Sequence, residues 1–159
     1  SDVGGVRLGL PSIEAVIEAY QEMALTLGAR VLVEPMVEAG GVEMILGVKA
    51  DSQFGPTVLM GIGGIHAELL HDVTLLRPPF DAAMARRALD RLKMRRLLDG
   101  LRGAAPSDID AFCEAAARLS VLAASLGDLV SEIDVNPIIL RSDGCIAVDA
   151  VVLRPQDRQ

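Results

Sequence analysis

Aromatic residues are scarce in this chain, which has no tryptophan, one tyrosine and three phenylalanines in 159 residues. The platforms on which single-stranded nucleic acid stacks are therefore missing. A net charge of −7 also argues against a general nucleic-acid surface, while leaving local phosphate binding open. Cysteine is equally sparse. Cys113 and Cys145 make no CxxC pair and have no histidine at zinc-ligand spacing, which fits reduced thiols in a cytoplasmic protein. No apolar run approaches the ~18 residues of a membrane span. No secretory signal opens the chain, and there is no internal repeat or low-complexity segment. The first residue is not methionine, and "SDVGGVRLGL" enters a strand-like run almost at once, as if the chain began inside a domain.

What is present is a globular composition, 51% hydrophobic and 23% charged, with length for about one domain and a sizeable core. "GGVRLGL" reads as a short strand. Ile13, Val16, Ile17, Tyr20, Met23, Ala24 and Leu27 form one helical stripe, with Ser12 as N-cap and Gly28 as the stop. "RVLVEPMV" reads as a strand ended or kinked by its proline, and "VEMILGVKAD" as the next strand. The stretch from Phe54 to Pro78 reads as strand, glycine turn, strand. "DAAMARRALDRLKMRRLLDG" is helical, with Met84, Ala88, Leu89 and Leu92 on one side. A longer helix follows, with a Ser107/Asp110 capping box and a stripe of Ile109, Phe112, Ala116, Leu119, Ala123 and Leu126. Two strands with a turn near "RSDG" close the chain. Helices interleaved with mostly antiparallel strands predict an α+β fold.

The last two strands carry the strongest chemical signal. Side chains alternate along a strand, so Glu132, Asp134 and Asn136 share one face, and Ile133 and Val135 the other. A loop of two or four residues brings Asp149 to the face of Asn136; a loop of three sends it to the opposite face. Crowded carboxylates repel unless a cation or basic groups compensate. Oxygen donors of this kind suit Mg²⁺ or Mn²⁺ together with substrate phosphates. The same spacing also describes an ordinary solvated strand face.

Taken in order, "SDVGGVRLGL", "VLVEPMV", "GVEMILGVKADSQFGP", "MGIGGIHAELLHDV", "LLDGLRG" and "EIDVNPIIL…GCIAVDA" resemble the ATP-grasp domain of ADP-forming acyl-CoA synthetases. This is the part similar to the succinyl-CoA synthetase β-subunit, and it is also fused in some protein lysine acetyltransferases. The resemblance covers nearly the whole chain and implies an ATP-grasp-like α+β fold, with ATP/ADP between two subdomains. Residues up to about 34 would end the first subdomain, 35–153 would form the second, and 154–159 a tail or linker.

The same resemblance implies roles for residues. Asp134, Asn136 and Asp149 would hold Mg²⁺ or Mn²⁺, with Glu132 a weaker candidate. Backbone groups of Glu34, Pro35, Met36 and Val37 would read adenine, and Glu43 the ribose hydroxyls. Gly63 and Gly64 would let backbone N–H groups approach a phosphate, and Arg77 would contact one. Without it, Glu34 is a surface acid, "GIGG" a hairpin turn and Arg77 half of a surface ion pair. Asp72 belongs to the same pattern as Arg77. His66 and His71 read as packing or surface residues, and both cysteines as core. Seven of the fifteen basic residues fall between Arg86 and Arg102, where interleaved aspartates indicate a solvated helix face.

The resemblance places a phosphorylated histidine upstream of Ser1. It assigns the CoA-binding and phosphohistidine-carrying domains to the same chain or a partner chain, with no nucleic acid or membrane involved. The implied parent reaction interconverts acyl-CoA, ADP and phosphate with free acid, CoA and ATP, and the isolated chain is expected to be inactive. Two other readings keep the fold: a regulatory domain of a lysine acetyltransferase, and a non-catalytic interaction module.

Overall fold

The structure, a computed structural model, describes residues 4–38, 40–51, 53–64, 72–100 and 103–155. The chain divides into two units, Ser1–Ala39 and Gly40–Gln159.

The first unit is built around helix α1, Ile13–Leu27. Ser12 caps it by accepting the Ala15 N–H at 3.3 Å, and Gly28 ends it at φ +107°. The expected stripe exists but is not buried. Ala19 is the one residue of this helix that is buried, while Ile13 is 74% exposed. The two expected strands, "GGVRLGL" and "RVLVEPMV", do not form here either. Strand backbone is held by a neighbour's hydrogen bonds. Among the described residues of this unit no strand is available to supply them. Their apolar side chains Leu8, Leu32 and Val33 stand exposed.

The second unit is an antiparallel sheet with helices on one face. Its strands are β1 (Val42–Asp51), β2 (Gly55–Ile62), β3 (Val73–Leu76), β4 (Glu132–Arg141), β5 (Gly144–Ala147) and β6 (Ala150–Leu153). The order is β3-β2-β1-β4-β5, with β6 pairing further along β4. The helices are α2 (Ala82–Leu89) and α3 (Ile109–Leu126), with 3₁₀ turns at Arg95–Asp99 and Gly127–Leu129. The expected α+β architecture is the one observed. The core lies between one sheet face and the helices. Met44, Leu46 and Val48 of β1, Val58, Met60 and Ile62 of β2, and Ile138 and Leu140 of β4 join Phe112, Ala116 and Leu89 there.

The helices differ from expectation in instructive ways. The segment read as one helix from Asp81 onward stops at Leu89. The Arg91 and Leu92 amides turn to the Ala88 and Leu89 carbonyls, and beyond them Asp72, buried to 5% exposure, accepts the N–H groups of Lys93 at 2.9 Å and Met94 at 2.7 Å. Those donors are taken up by a side chain far away in sequence, and the chain turns into the 3₁₀ segment instead. Met84 is 42% exposed, and Ala85 takes the buried position expected for it. On α3 the cap is Asp108, accepting from Ala111 at 3.0 Å, one residue later than the expected Ser107. The expected α3 stripe is buried or packed on the core, joined by Cys113 and Ser120. The Ser120 hydroxyl accepts the Phe80 N–H and donates within reach of the Phe80 and Ala117 carbonyls, which ties α3 to the loop before α2. Cys113 is in the core as expected, whereas Cys145 is only half-buried. Among the described residues no helix is long and apolar enough to cross a membrane. His66 and His71 lie outside the described residues.

Asp72→Ala is expected to cost about 1–3 kcal/mol, because it strands two partly buried N–H donors. Asp72→Asn keeps one acceptor oxygen and should cost less. The midpoint of urea denaturation measures both, and an unchanged midpoint in Asp72→Ala would contradict this role.

Candidate functional site

The helices cover one face of the sheet; the chemistry lies on the other. In β4, Ile133 is buried and Asp134 and Asn136 are exposed, as strand alternation requires. The alternation is then reset. Met44 pairs with Ile138 but Leu46 pairs with Val135, so Ile45 alone faces both Asn136 and Pro137. This bulge lets Ile138 and Leu140 return to the core while Asn136 and Pro137 stay on the outer side. Pro137 has no N–H to donate, which suits an irregular position in the ladder.

The loop decides where Asp149 lies. Arg141 pairs with Gly144, leaving a two-residue connection, Ser142–Asp143. The register continues unbroken from Ile138↔Ala147 to Val135↔Ala150. Asp149 therefore stands opposite Asn136, and the Asn136 N–H donates to the Asp149 carbonyl at 3.2 Å. The expected single strand "GCIAVDA" is interrupted at Val148 and Asp149, between β5 and β6. The Asp149 carboxylate accepts the following Ala150 N–H at 2.7 Å, which fixes one of its oxygens.

Although Asp134 is exposed, partial desolvation against the sheet pushes its carboxyl up, and the neighbouring Glu132 and Asp149 carboxylates push it further. The register, with Asp149 opposite Asn136, puts Asp149 on the same face as Asp134. Across the sheet, Gly47 pairs with Asp134 and contributes no side chain beside it, and Lys49 pairs with Glu132. Lys49 was not singled out in the sequence, although its place in the β1 alternation puts it on this face.

Glu43 is on the same outer face, paired with Ile139 and so roughly 10 Å along the sheet from Asn136. Gly63 and Gly64 lie beside it, with the Gly63 N–H donating to the Glu43 carbonyl at 2.7 Å. Arg77 follows β3 at the far edge, three strand spacings or about 14 Å from β4. It is exposed and not gathered with the acids. Asp72 faces inward as a structural acceptor, as described above. Glu34, Pro35, Met36 and Val37 belong to the first unit, in an irregular segment where Met36 is 60% exposed.

Among the described residues no three acidic, cysteine or histidine side chains gather closely enough to hold a metal by themselves. The donor set on offer is smaller and harder: two carboxylates, Asp134 and Asp149, with the Asn136 amide between them in register. Mg²⁺ is characteristically held by one or two carboxylates and completed by phosphate and water. The proton affinity of Asp134 is raised by burial and then by its acidic neighbours, and a nearby cation would relieve that second part.

The fold and this donor set define an α+β domain with an open, oxygen-rich sheet face. An ATP-grasp domain profile matches residues 1–153, and the chain belongs to that family. A trans-feruloyl-CoA synthase from an unidentified prokaryote is 39% identical, over 96% of this chain and 23% of the relative. The ADP-forming acetate–CoA ligase I of Archaeoglobus fulgidus is 36% identical, over 94% and 22%. The β-subunit of the corresponding Pyrococcus furiosus enzyme is 34% identical, over 94% and 67%. The chain thus spans less than a quarter of the first two relatives. A solved Candidatus Korarchaeum cryptofilum dinucleotide-forming acetyl-coenzyme A synthetase superposes with a TM-score of 0.86 at 37% identity, over 96% of this chain and 69% of that one. It contains coenzyme A and Mg-AMPPCP, with its phosphohistidine segment pointing towards the nucleotide-binding site.

Asp134→Asn gives a pH-dependent test of the acidic cluster. With its carboxyl value raised by folding, the native chain binds more protons than the unfolded chain, so its stability falls as pH rises through that window. In metal-free buffer the melting temperature of Asp134→Asn minus that of wild type should be near zero below about pH 3 and positive above about pH 6. A difference independent of pH would show that Asp134 does not feel its neighbours.

Proposed function

We propose that this chain is the nucleotide- and Mg²⁺-binding ATP-grasp portion of an ADP-forming acyl-CoA synthetase. The whole protein would interconvert acyl-CoA, ADP and phosphate with free acid, CoA and ATP through a phosphohistidine. The observation that carries this reading is the placement of Asp134, Asn136 and Asp149 together on the open sheet face, with Glu43 further along it.

That order suits an extended nucleotide. The Glu43 carboxylate would accept hydrogen bonds from the ribose hydroxyls at one end. Asp134, Asn136 and Asp149 would hold Mg²⁺ (or Mn²⁺) at the phosphates. Bound there, the cation would supply charge neutralisation for phosphoryl transfer. The chain's own residues would fix the phosphate chain in line with the incoming acceptor and hold it against the sheet. Backbone groups of Glu34, Pro35, Met36 and Val37 would read adenine, and Arg77 would meet a phosphate from the sheet's far edge. In this reading residues up to about 34 complete the first ATP-grasp subdomain and 35–153 form the second. The acyl and CoA chemistry would belong to CoA-binding and phosphohistidine-carrying domains of the same or a partner chain. The whole protein would be cytoplasmic.

Isothermal titration of the intact protein with Mg-ADP and Mg-ATP tests the site. Asp134→Ala and Asp149→Ala should each weaken binding by about tenfold or more, the scale of a lost charged contact. Unchanged affinity in both variants would sink the metal assignment. The isolated 159-residue chain should show no turnover of acid, CoA and ATP, and a measurable rate would refute the division of labour proposed here.

A further inference from the structure

We infer that Gly64 is a positioning residue for the Glu43 carboxylate, so that this glycine sets how strongly the site discriminates the hydroxyls of its nucleotide's sugar. The inference rests on the proposed ribose contact of Glu43. It replaces a direct phosphate contact by Gly64 with an indirect role.

Three observations carry it. The Gly63 N–H donates to the Glu43 carbonyl at 2.7 Å, so the turn is pinned to the very residue whose side chain it faces. A Cβ on Gly63 would stand 3.2 Å from the backbone of Glu43 and Met44, which shows how closely the two backbones lie. A Cβ on Gly64 would stand 2.5 Å from Oε2 of Glu43 and 3.4 Å from its carboxyl carbon. The Glu43 carboxylate thus occupies the space that any other residue at 64 would fill.

The geometry also says what must give way. The colliding atom is the far end of a flexible side chain, so a substitution at 64 displaces the carboxylate rather than the sheet. Gly64 sits at φ +65°, which an alanine adopts only under strain and an asparagine tolerates better. Gly64→Asn therefore keeps the backbone closer to native while still pushing Glu43 aside. Because Glu43 itself is exposed at the start of β1, its carboxylate has no buried packing of its own to return it.

The test compares Mg-ADP with Mg-2′,3′-dideoxy-ADP by titration calorimetry on the intact protein, in wild type, Glu43→Ala, Gly64→Ala, Gly64→Asn and the Glu43→Ala/Gly64→Asn pair. Wild type should prefer Mg-ADP by about tenfold or more, as for hydrogen bonds to a charged acceptor. Glu43→Ala, Gly64→Ala and Gly64→Asn should each bring that ratio towards one. In the double variant, the glycine change should have no further effect on it. If Glu43→Ala removes the preference but both Gly64 variants keep it, the positioning role is overturned and the ribose reading stands. Equal weakening towards both nucleotides in the Gly64 variants, with the ratio kept, likewise overturns it in favour of a phosphate contact. If Glu43→Ala leaves the preference intact, the ribose reading fails and the positioning role with it.

Discussion

The two-faced alternation of β4 is the constraint on which the rest of this structure depends. Every second residue of the strand must enter the core under α3, and the residues between must then face out. A bulge of one residue at Asn136–Pro137 resets the alternation without moving the acids inward. Ile133, Ile138 and Leu140 are thereby buried, while Asp134 and Asn136 stay on the open face. Shifting the register by one residue would bury two carboxylates and expose the core, so packing and chemistry enforce the same pairing.

The open face concentrates like charges, and it does so at some cost to the folded state. Asp134 is raised in proton affinity by burial and by Glu132 and Asp149. A purely structural sheet face would be expected to disperse such acids or pair them with lysine and arginine. Lys49 stands opposite Glu132 in the ladder, and Gly47 opposite Asp134 leaves the centre uncrowded. The arrangement makes sense as half of a coordination sphere whose other half arrives with phosphates. Two buried polar side chains elsewhere are satisfied by contrast: Asp72 serves two backbone amides, and Ser120 serves Phe80. These inward polar contacts fix the helices on one face and leave the other free for binding.

Much of this was legible in the sequence. Period-two patterning gave β1 and β4, and period-3.6 patterning gave α1 and α3, because each repeat mirrors a backbone geometry. Ser12 was readable as a cap because its side chain reaches only a few residues. The path after α2 was not readable, since Asp72 holds the Lys93 and Met94 amides from about twenty residues away. The strands expected near Val6 and Val31 do not form, because β-propensity does not provide a partner strand. The exposed stripe of α1 has the same origin: amphipathicity says which face could be buried, not what covers it. The α3 cap falls on Asp108 rather than Ser107, because adjacent polar side chains compete for the same first-turn amides.

By itself the sequence determined the α+β class, the core-facing and outward residues of β4, and, through its ordered motifs, the family. Local chemistry and side-chain period suffice for these. Only the tertiary structure decided that the loop has two residues and that Asp149 faces Asn136, because register is settled by pairing across strands. It also decided that Gly64 lies against the carboxylate of Glu43. Residues twenty-one positions apart in the chain meet there because β1 and β2 pair antiparallel, bringing the end of one strand to the beginning of the other.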